Sequence, residues 1–391
     1  MADTAPRVAE AEISEPDDVI DQKAQALADL IRKSKHFIVF TGAGVSTSAG
    51  ISDFRGPQGV WTLRAQGRDR DIKSVDTLQA IPTPTHMALV ELQNRGVLKY
   101  LVSQNCDGLH RKSGILPDKI SELHGNSNRE YCKDCGQEYI RDFRAVSTYQ
   151  TSIHDHRTGR KCALCSGPLL DSIINFTEPL PPQALKSAFQ HAKKADLCLV
   201  LGSSLTVSPA NEVPEVVGNG RRRGATLAIC NLQSTPLDGL AAWRVRARTD
   251  ELMVRVMEKL GWGIPGFVLR RRLLVTVQPE WASSSSAARK GLKGGERHKL
   301  LVAGLDVDGT PATFLKSVRL VGQRREVKQE PFAFQLRAEW AEVMPLRVEL
   351  EFMGHYGEPG LAVEVEGEGR EEWEFALEYN TYTGEWKTNK A

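Results

Sequence analysis

Four short apolar segments, each followed directly by glycine or polar residues, constrain the fold of this chain more than any other feature. They cover residues 36–40, 99–103, 197–201 and 226–230, and each is typical of a buried strand in a parallel sheet. The carboxyl ends of such strands face the ligand crevice of an open sheet, so we expect the polar residues after them to meet at one edge. The sequence therefore predicts an α/β fold with a Rossmann-like parallel sheet.

Length and composition limit the class of protein. The chain has 391 residues, a length typical of two or three domains at about 150 residues each. A formal net charge of +2 with 26% charged residues excludes a uniformly charged nucleic-acid-binding chain. No apolar run approaches the roughly 18 residues of a membrane span, and the acidic N-terminus lacks the regions of a signal peptide. We therefore expect an intracellular, soluble protein with no membrane partner.

Changes of pattern divide the chain into parts. Residues 1–20 are acidic and are expected to be a disordered tail, and residues 21–265 form one domain with an insertion at about 125–175. Residues 266–299 are rich in Ser, Gly, Lys and Arg and indicate a basic linker. Over 300–391 apolar residues alternate with polar ones, as at Leu346, Val348 and Leu350, so the sequence predicts a small β-rich domain of unassigned role.

Two C-x-x-C pairs lie within the insertion. Cys132 and Cys135 are separated by 26 residues from Cys162 and Cys165, a spacing typical of four thiolates around tetrahedral zinc. Because four protein ligands leave no open position, the metal is expected to be structural rather than catalytic. The alternative is a set of unligated cysteines, and the spacing alone equally suits a zinc-ribbon module that binds nucleic acid.

A glycine loop follows the first predicted strand. Gly42 and Gly44 allow the backbone to approach a pyrophosphate, and the N-terminus of a following helix would supply N–H donors. The third glycine of G-x-G-x-x-G is replaced by Thr47 and no ribose-binding acid is evident, which disfavours a standard dehydrogenase site. Alone, the motif is equally well a glycine turn that joins a strand to a helix.

Residues 49–56 form a second loop bounded by glycines. Asp53, Phe54 and Arg55 are an unusual composition for a simple connection. One interpretation is a surface loop with a single buried aromatic residue. The other is a flexible flap over a cofactor, in which Phe54 is a hydrophobic cover and Arg55 lies near phosphate or ribose. The sequence leaves both open.

His124 is the candidate general base. A lone histidine is more often structural than catalytic, but this one follows the cluster Gln104, Asn105 and Asp107 by about twenty residues. An imidazole with a pKa of about 6.5 suits proton removal at neutral pH.

Together these motifs resemble those of one family. Gly42-Ala-Gly-x-Ser46, Gly50-Ile-x-Asp-Phe-Arg55, Gln104-Asn-x-Asp107, Leu123-His124-Gly125, the cysteine pairs, Gly202-Ser-Ser204 and Asn231-Leu-Gln233 occur in the order and spacing of the sirtuins, which are NAD-dependent protein-lysine deacylases. The resemblance covers about residues 24–265 and is greatest to the class IV, nuclear branch. It implies that residues 21–265 form a sirtuin catalytic domain.

The resemblance also implies a reaction and residue roles. The acyl oxygen of an acyl-lysine attacks C1′ of the NAD ribose, and free lysine, nicotinamide and O-acyl-ADP-ribose are produced. His124 would act as the catalytic base, Asn105 would order the ribose, and Asp107 would hold the nicotinamide carboxamide. The residues matched to the NAD site are Gly42, Ala43, Gly44, Ser46, Thr47, Asp53, Phe54, Arg55, Trp61, Gln104, Asn105, Asp107, Gly202, Ser203, Ser204, Asn231, Leu232, Gln233 and Thr249.

By the same matching, the peptide substrate would bind as an extended strand between two loops. The residues matched to these loops are Phe176, Thr177, Glu178, Leu205 and Val207. Thr177 replaces a glycine of the family and could narrow the peptide groove, and Ser52 replaces a proline in the flap.

Partners and alternatives remain open at the level of the sequence. The class IV resemblance implies a nuclear enzyme that deacylates histones or other nuclear proteins. Basic runs at 221–223, 270–272 and 289–293 could contact nucleic acid or chromatin, or could simply be a solvated surface. The alternative functions are protein mono-ADP-ribosyl transfer and a non-enzymatic chromatin adaptor that binds NAD or ADP-ribose.

Overall fold

The computed structural model describes residues 10–72, 74–148, 151–220, 224–280, 297–336, 345–366 and 371–390. The chain divides into two compact units. The first comprises Met1–Gly136 and Arg144–Phe267, and the second comprises Gln137–Phe143 and Val268–Ala391.

Both helices and strands are numbered in chain order. The helices are α1 Asp17–Lys33, α2 Val60–Ala65, α3 Pro84–Asn94, α4 Leu109–Ser113, α5 Pro182–Lys194, α6 Glu212–Asn219 and α7 Thr249–Leu260. The strands are β1 Phe37–Thr41, β2 Leu98–Ser103, β3 Ile120–Glu122, β4 Arg129–Cys132, β5 Glu138–Arg141, β6 Arg157–Lys161, β7 Pro168–Asp171, β8 Leu197–Leu201, β9 Thr226–Cys230, β10 Trp243–Val245, β11 Val268–Glu280, β12 Arg297–Leu305, β13 Ala312–Thr313, β14 Leu315–Leu320, β15 Glu326–Val327, β16 Phe332–Leu336, β17 Leu346–Phe352, β18 Leu361–Val365, β19 Glu372–Asn380 and β20 Glu385–Lys390.

The first unit is built on a six-stranded parallel sheet with the order β3-β2-β1-β8-β9-β10. The chain moves outward from β1 in one direction through β2 and β3, and in the other through β8, β9 and β10. The strand order therefore reverses between β1 and β8, which is where ligands bind in open α/β sheets. The predicted Rossmann-like sheet is confirmed, with β3 and β10 as short edge strands that the sequence did not reveal.

Helices cover both faces of this sheet. Along β1, Phe37 and Val39 point into a core shared with α1, α3 and α7, whereas Ile38 and Phe40 point into a core shared with α5 and α6. This alternation follows from the two-residue period of a strand. It explains why the strands read as continuous apolar runs, since neither face meets water.

Helix α1, the first helix of the first unit, is amphipathic. Ile20, Ala24, Leu27 and Ile31 recur on one face and are buried, as expected for an amphipathic helix. Acidic residues occupy its first turn and Arg32 and Lys33 its last turn, so both ends complement the helix dipole. In the described ranges, no helix has the length and apolarity that crossing a bilayer requires.

The glycine loop after β1 differs from the expected strand–turn–helix unit. Ala43–Val45 and Thr47–Ala49 form two short 3₁₀ turns rather than an α-helix. Gly50 ends the second turn with φ +83°, a conformation that favours glycine. The dipole of a long helix therefore does not contribute here.

The inserted cysteine segment forms a small antiparallel arrangement in the first unit. β7 pairs with β4 on one side and with β6 on the other. The turns that carry the cysteines extend from these short strands. Residues Gln137–Phe143, between the two cysteine pairs, group with the second unit, where Ile140 of β5 pairs in parallel with Ala312 of β13.

The second unit contains two antiparallel sheets with the orders β16-β12-β11-β19-β20 and β15-β14-β17-β18. Their inward-facing residues alternate along each strand, as at Leu346, Val348, Leu350 and Phe352, and form one core. The predicted C-terminal strands are therefore confirmed.

The structure corrects two predicted boundaries. The tail expected over residues 1–20 is shorter, because α1 begins at Asp17 and the backbone N–H of Ile13 donates to Leu232 O at 3.2 Å; residues 1–9 lie outside the described residues. The linker expected over 266–299 is also shorter, because residues 268–280 form β11. Three consecutive arginines obscured the alternation of Leu273, Val275 and Val277. Residues 281–296 lie outside the described ranges.

The arginine run at 270–272 is neutralised by carboxylates. Arg271 donates to both oxygens of Asp142 at 2.9 Å, and Arg272 donates to Glu374 at 2.6 Å. Arg270 lies 3.3 Å from Glu378. These contacts favour the solvated-surface interpretation over a nucleic-acid patch. The runs at 221–223 and 289–293 fall outside the described residues.

Candidate functional site

Two glycine loops meet where the strand order reverses. Gly44 follows β1, and its N–H donates to the carbonyl of Gly202, which follows β8, at 2.9 Å. A Cβ on Gly44 would lie 2.7 Å from Cα of Gly202, and one on Gly202, where φ is +60°, would lie 2.6 Å from Cα of Gly44. Real Cβ atoms do not approach backbone so closely, so both loops require glycine in order to form the floor of the crevice.

A buried polar cluster connects the loops after β1 and β2. Ser46 Oγ donates to Asp107 Oδ2 at 2.7 Å, and Asn105 Nδ2 donates to Gly42 O at 3.1 Å. The other oxygen of Asp107 accepts from the N–H of Leu109 at 2.9 Å. Asn105 and Asp107 are 8% and 9% exposed, so each is fixed in one orientation by partners from a different strand end.

His124 follows β3 and lies beside this cluster. Its Nδ1 is 2.9 Å from the carbonyl of Gln104, which makes Nδ1 the protonated nitrogen and leaves Nε2 with a lone pair. The Oε1 of Gln104 accepts from Ser203 Oγ at 2.7 Å. Burial lowers the pKa of His124 and the charge of Arg55 lowers it further, whereas the bond to Gln104 acts in the opposite direction. The imidazole is thus neutral at physiological pH and can accept a proton.

In the predicted flap, Phe54 and Arg55 both contact Trp61 of α2. The Arg55 guanidinium lies 4.5 Å from the Trp61 ring centre, and Phe54 lies 4.8 Å from it on a tilted contact. Phe54 is 44% exposed, so its ring lies at the surface and is not part of the buried core. Asp53 accepts from the N–H of Gly56 at 3.1 Å, and burial raises the pKa of its carboxyl. The flap interpretation is favoured over that of a simple surface loop.

The loop after β9 is engaged by the N-terminal segment. Gln233 Nε2 donates to Glu10 O at 2.6 Å, and Leu232 O accepts from Ile13 N at 3.2 Å. Asn231 Nδ2 donates to the carbonyl of Gln233 at 3.0 Å. The side chain of Gln233 is therefore occupied by the protein itself, and the adenosine contacts assigned to residues 231–233 stay a prediction.

Thr47 and Thr249 flank the glycine loop. Both hydroxyls donate to Gly44 O, at 3.2 and 3.4 Å. Thr249 is the first residue of α7. Ala43 lies in the first 3₁₀ turn, and the Ser204 hydroxyl is 3.0 Å from that of Thr206.

The two predicted peptide loops differ in their surroundings. Phe176 is 36% exposed and its ring lies 5.3 Å from Trp61, so the first loop borders the flap. Thr177 has φ +75°, which fits a position that glycine usually occupies. Leu205 is completely buried in the core near β8, so only its backbone could contact a peptide, and the predicted contact stays a prediction. Val207 is partly exposed and its carbonyl accepts from Asn211 N.

The four cysteines of the two pairs converge. The Sγ atoms of Cys132 and Cys165 are 3.4 Å apart, and those of Cys135 and Cys162 are 3.6 Å apart; all four lie within 4.8 Å of one another. A zinc ion with Zn–S bonds of about 2.3 Å requires S–S separations of about 3.8 Å, whereas a disulfide requires about 2.05 Å. The cluster therefore fits a structural zinc ion with no open position.

Several site residues were not apparent in the sequence. His154 and His156 both contact Glu178 of the first peptide loop. A His-x-His pair beside a predicted metal segment was the available signal, but only the fold brings it to the loop. Glu12 and Asp53 both approach Gly56, and no spacing in the sequence links these residues.

The donors at the strand ends fit a dinucleotide. Asn105, Ser203 and Ser204 offer amide and hydroxyl groups, and Arg55 offers a cation that phosphate would accept. Asp107 is a carboxylate that can accept from the NH₂ of a carboxamide. These groups suit the polar, anionic and amide parts of NAD.

Comparison with known proteins shows the family of the chain. The model of the Sir2 family matches residues 70–209. The NAD-dependent protein deacetylase SRT1 of Arabidopsis thaliana is 45% identical over 67% of this chain and 54% of its own length. The NAD-dependent protein deacetylase sirtuin-7 of Homo sapiens is 40% identical over 66% and 64%. Sirt6 of Drosophila melanogaster, also an NAD-dependent protein deacetylase by name, is 39% identical over 64% and 79%. The chain thus spans between half and two thirds of the length of the first two relatives.

Proposed function

Because the chain belongs to the Sir2 family, close to its class IV branch, we propose that it is an NAD-dependent protein-lysine deacylase. The proposal rests on one observation above all others. His124 lies beside the buried Asn105–Asp107 cluster, and its Nε2, the nitrogen that is not bonded to Gln104, carries a lone pair. A neutral imidazole next to a site for the nicotinamide end of NAD is what proton removal from the ribose requires.

Different residues of the site would have different roles in the reaction. Asn105 and Ser203 would orient the ribose, and Asp107 would hold the carboxamide. The flap of Phe54 and Trp61 would exclude water from the reacting centre, so that the bound group does not react with water instead. When bound, NAD supplies the ribose carbon that accepts the acyl oxygen and the nicotinamide that leaves.

We further propose that the substrates are acyl-lysines of histones or other nuclear proteins and that the protein is nuclear. The support is the class IV resemblance, which is greatest to the nuclear branch. The described arginines at 270–272 are paired with carboxylates, so chromatin contact would have to use other surfaces.

An assay of product masses tests the proposal. The protein is incubated with NAD and with acetyl, long-acyl and unmodified versions of one histone peptide. We expect deacylated peptide, nicotinamide and O-acyl-ADP-ribose from acylated peptides alone. ADP-ribose attached to protein would instead support mono-ADP-ribosyl transfer, and no nicotinamide release with any peptide would support a binding adaptor.

A further inference from the structure

A continuous chain of hydrogen-bonded ionisable side chains joins the cysteine segment to the first peptide loop. Its members are Asp171 at the end of β7, His156 just before β6, and Glu178 in the loop. His156 Nδ1 lies 2.8 Å from Asp171 Oδ1, and His156 Nε2 lies 2.9 Å from Glu178 Oε1. We call this set the carboxylate–imidazole chain. None of its members belongs to the NAD site or to the cysteine cluster.

Asp171 is the fixed end of the chain. Its side chain is only 2% exposed. Its Oδ2 accepts from the N–H of Ser147 at 2.6 Å, and its Oδ1 accepts from the N–H of Ile173 at 3.2 Å. A buried carboxylate with this many donors is held in one orientation, so it gives His156 a rigid support.

His156 lies between two carboxylates, one on each ring nitrogen. A carboxylate can only accept, so both nitrogens must donate for both contacts to be hydrogen bonds. A neutral imidazole has one N–H and would present a lone pair to one of the carboxylates. The geometry is therefore satisfied only when His156 is an imidazolium.

Glu178 is the other end of the carboxylate–imidazole chain and lies in the first peptide loop. Its Oε1 also accepts from His154 Nδ1 at 2.6 Å, and its Oε2 accepts from the N–H of Asn175 at 2.6 Å. Asn175 Nδ2 adds a bond to Ile153 O at 2.7 Å. Glu178 thus closes the loop on itself and ties it to residues 153–156.

This loop needs such support because its backbone is strained and its position matters. Thr177 adopts φ +75° without being glycine, a conformation that persists only where the surroundings hold it. Just before the loop, Ile174 N donates to His124 O at 3.1 Å. On its other side, Phe176 contacts Trp61. Movement of the loop would therefore displace the peptide from both His124 and the flap.

We propose that the carboxylate–imidazole chain positions residues 175–178 for the acyl-peptide, so that His156 controls peptide binding without touching the peptide. This inference rests on the proposed deacylase function for its substrate. In it, His156 is a positioning residue rather than a catalytic residue.

The carboxylate–imidazole chain makes peptide binding depend on pH. Burial lowers the pKa of His156, but the hydrogen bonds to Asp171 and Glu178 and the charges of both outweigh burial and raise it. The ordered loop is then fully retained below the ordinary pKa of a histidine and is lost as pH rises through this raised pKa. Other ionisable groups near the chain are His154 on the same segment, and Tyr131 and Arg129 on β4.

Two variants test the proposal. His156→Gln removes the positive charge, and Glu178→Gln removes the negative charge and replaces one of the two acceptor oxygens by an NH₂ donor while keeping the shape. In each, we expect the KM for an acetyl-peptide to rise about tenfold, as loss of a charge-assisted hydrogen bond predicts, with the KM for NAD unchanged. In the unaltered protein the peptide KM should rise at alkaline pH, and in His156→Gln it should not vary with pH.

The matched control is His36→Gln. His36 is also half-buried and also pairs through a ring nitrogen, with His191 at 3.1 Å, but it precedes β1 at the end of the sheet opposite the site. This variant should leave both KM values unchanged. Thermal unfolding of all variants reports whether any effect is merely loss of the fold.

Amide hydrogen exchange separates failure of this inference from failure of the proposed function. Residues 174–178 should exchange faster in His156→Gln than in the unaltered protein, whether or not the protein turns over any peptide. Unchanged exchange in these residues, or an unchanged peptide KM in an active protein, would overturn the proposal. Absence of turnover in the unaltered protein would count against the deacylase function instead.

Discussion

His124 differs from other described histidines of the first unit in the surroundings of its ring. His86 and His110 are fully buried, and burial lowers the pKa of each to about 3, so they serve as neutral core groups. His156 has a carboxylate on each nitrogen. For His124 we find one fixed partner, the Gln104 carbonyl, and among the described residues no partner for Nε2. His124 therefore combines a set tautomer with an available lone pair.

Replacing His124 with tyrosine tests this residue directly. His124→Tyr removes the base while keeping an aromatic ring in the same space, so we expect turnover to fall by at least about a hundredfold with the melting temperature nearly unchanged. Nicotinamide release measures turnover. Full activity in this variant would remove His124 from the mechanism.

At the scale of the element, the site depends on two loops that approach through glycine. The 3₁₀ turns after β1 place Gly44 against Gly202 more closely than any side chain allows. The position of NAD therefore depends on loop contact more than on a helix terminus.

The Gly44→Ala substitution is expected to separate these loops. Its Cβ would meet the Gly202 backbone at 2.7 Å, so the loops must move apart, at a cost of roughly 1–3 kcal/mol in the free energy of unfolding. The KM for NAD should rise as well. Gly239→Ala is the control, because a Cβ there meets nothing within 4 Å. Equal effects of the two substitutions on the NAD KM would contradict the role of the loop contact.

The cysteine segment gives a second prediction at this scale. Cys132→Ala should release zinc and lower the melting temperature, because ligation contributes directly to folding free energy. Cys198→Ala is the control, since Cys198 is buried in β8 outside the cluster and its loss should leave the zinc content unchanged. Metal analysis and thermal unfolding measure both. Retained zinc in Cys132→Ala would reject the structural site.

How much the sequence could predict depends on how local each signal is. The strands β1, β2, β8 and β9 were predictable because an apolar run and a polar end lie within a few residues of each other. The 3₁₀ turns were not, because the contact between Gly44 and Gly202 joins loops more than 150 residues apart in the chain. Likewise, Glu178 and His156 become partners only when the segment folds.

At the scale of the whole molecule, each unit has its own core. The parallel sheet supplies the strand ends on which the proposed site is built, whereas the second unit consists of antiparallel sheets. Strand β11 begins at Val268, directly after the first unit ends at Phe267. A truncation placed at residue 300, the predicted start of the C-terminal domain, would therefore cut through β12 and leave a partial sheet.

The fate of the acyl oxygen tests the central claim most directly. An acetyl-peptide carrying a heavy oxygen isotope in its acyl group is incubated with NAD and the full chain, and the masses of the products are measured by mass spectrometry. If His124 and the Asn105–Asp107 cluster bring the acyl group onto the ribose, the label is expected in the ADP-ribose product. Label found only in released acetate would mean that water attacks the acyl group directly, and would contradict the account.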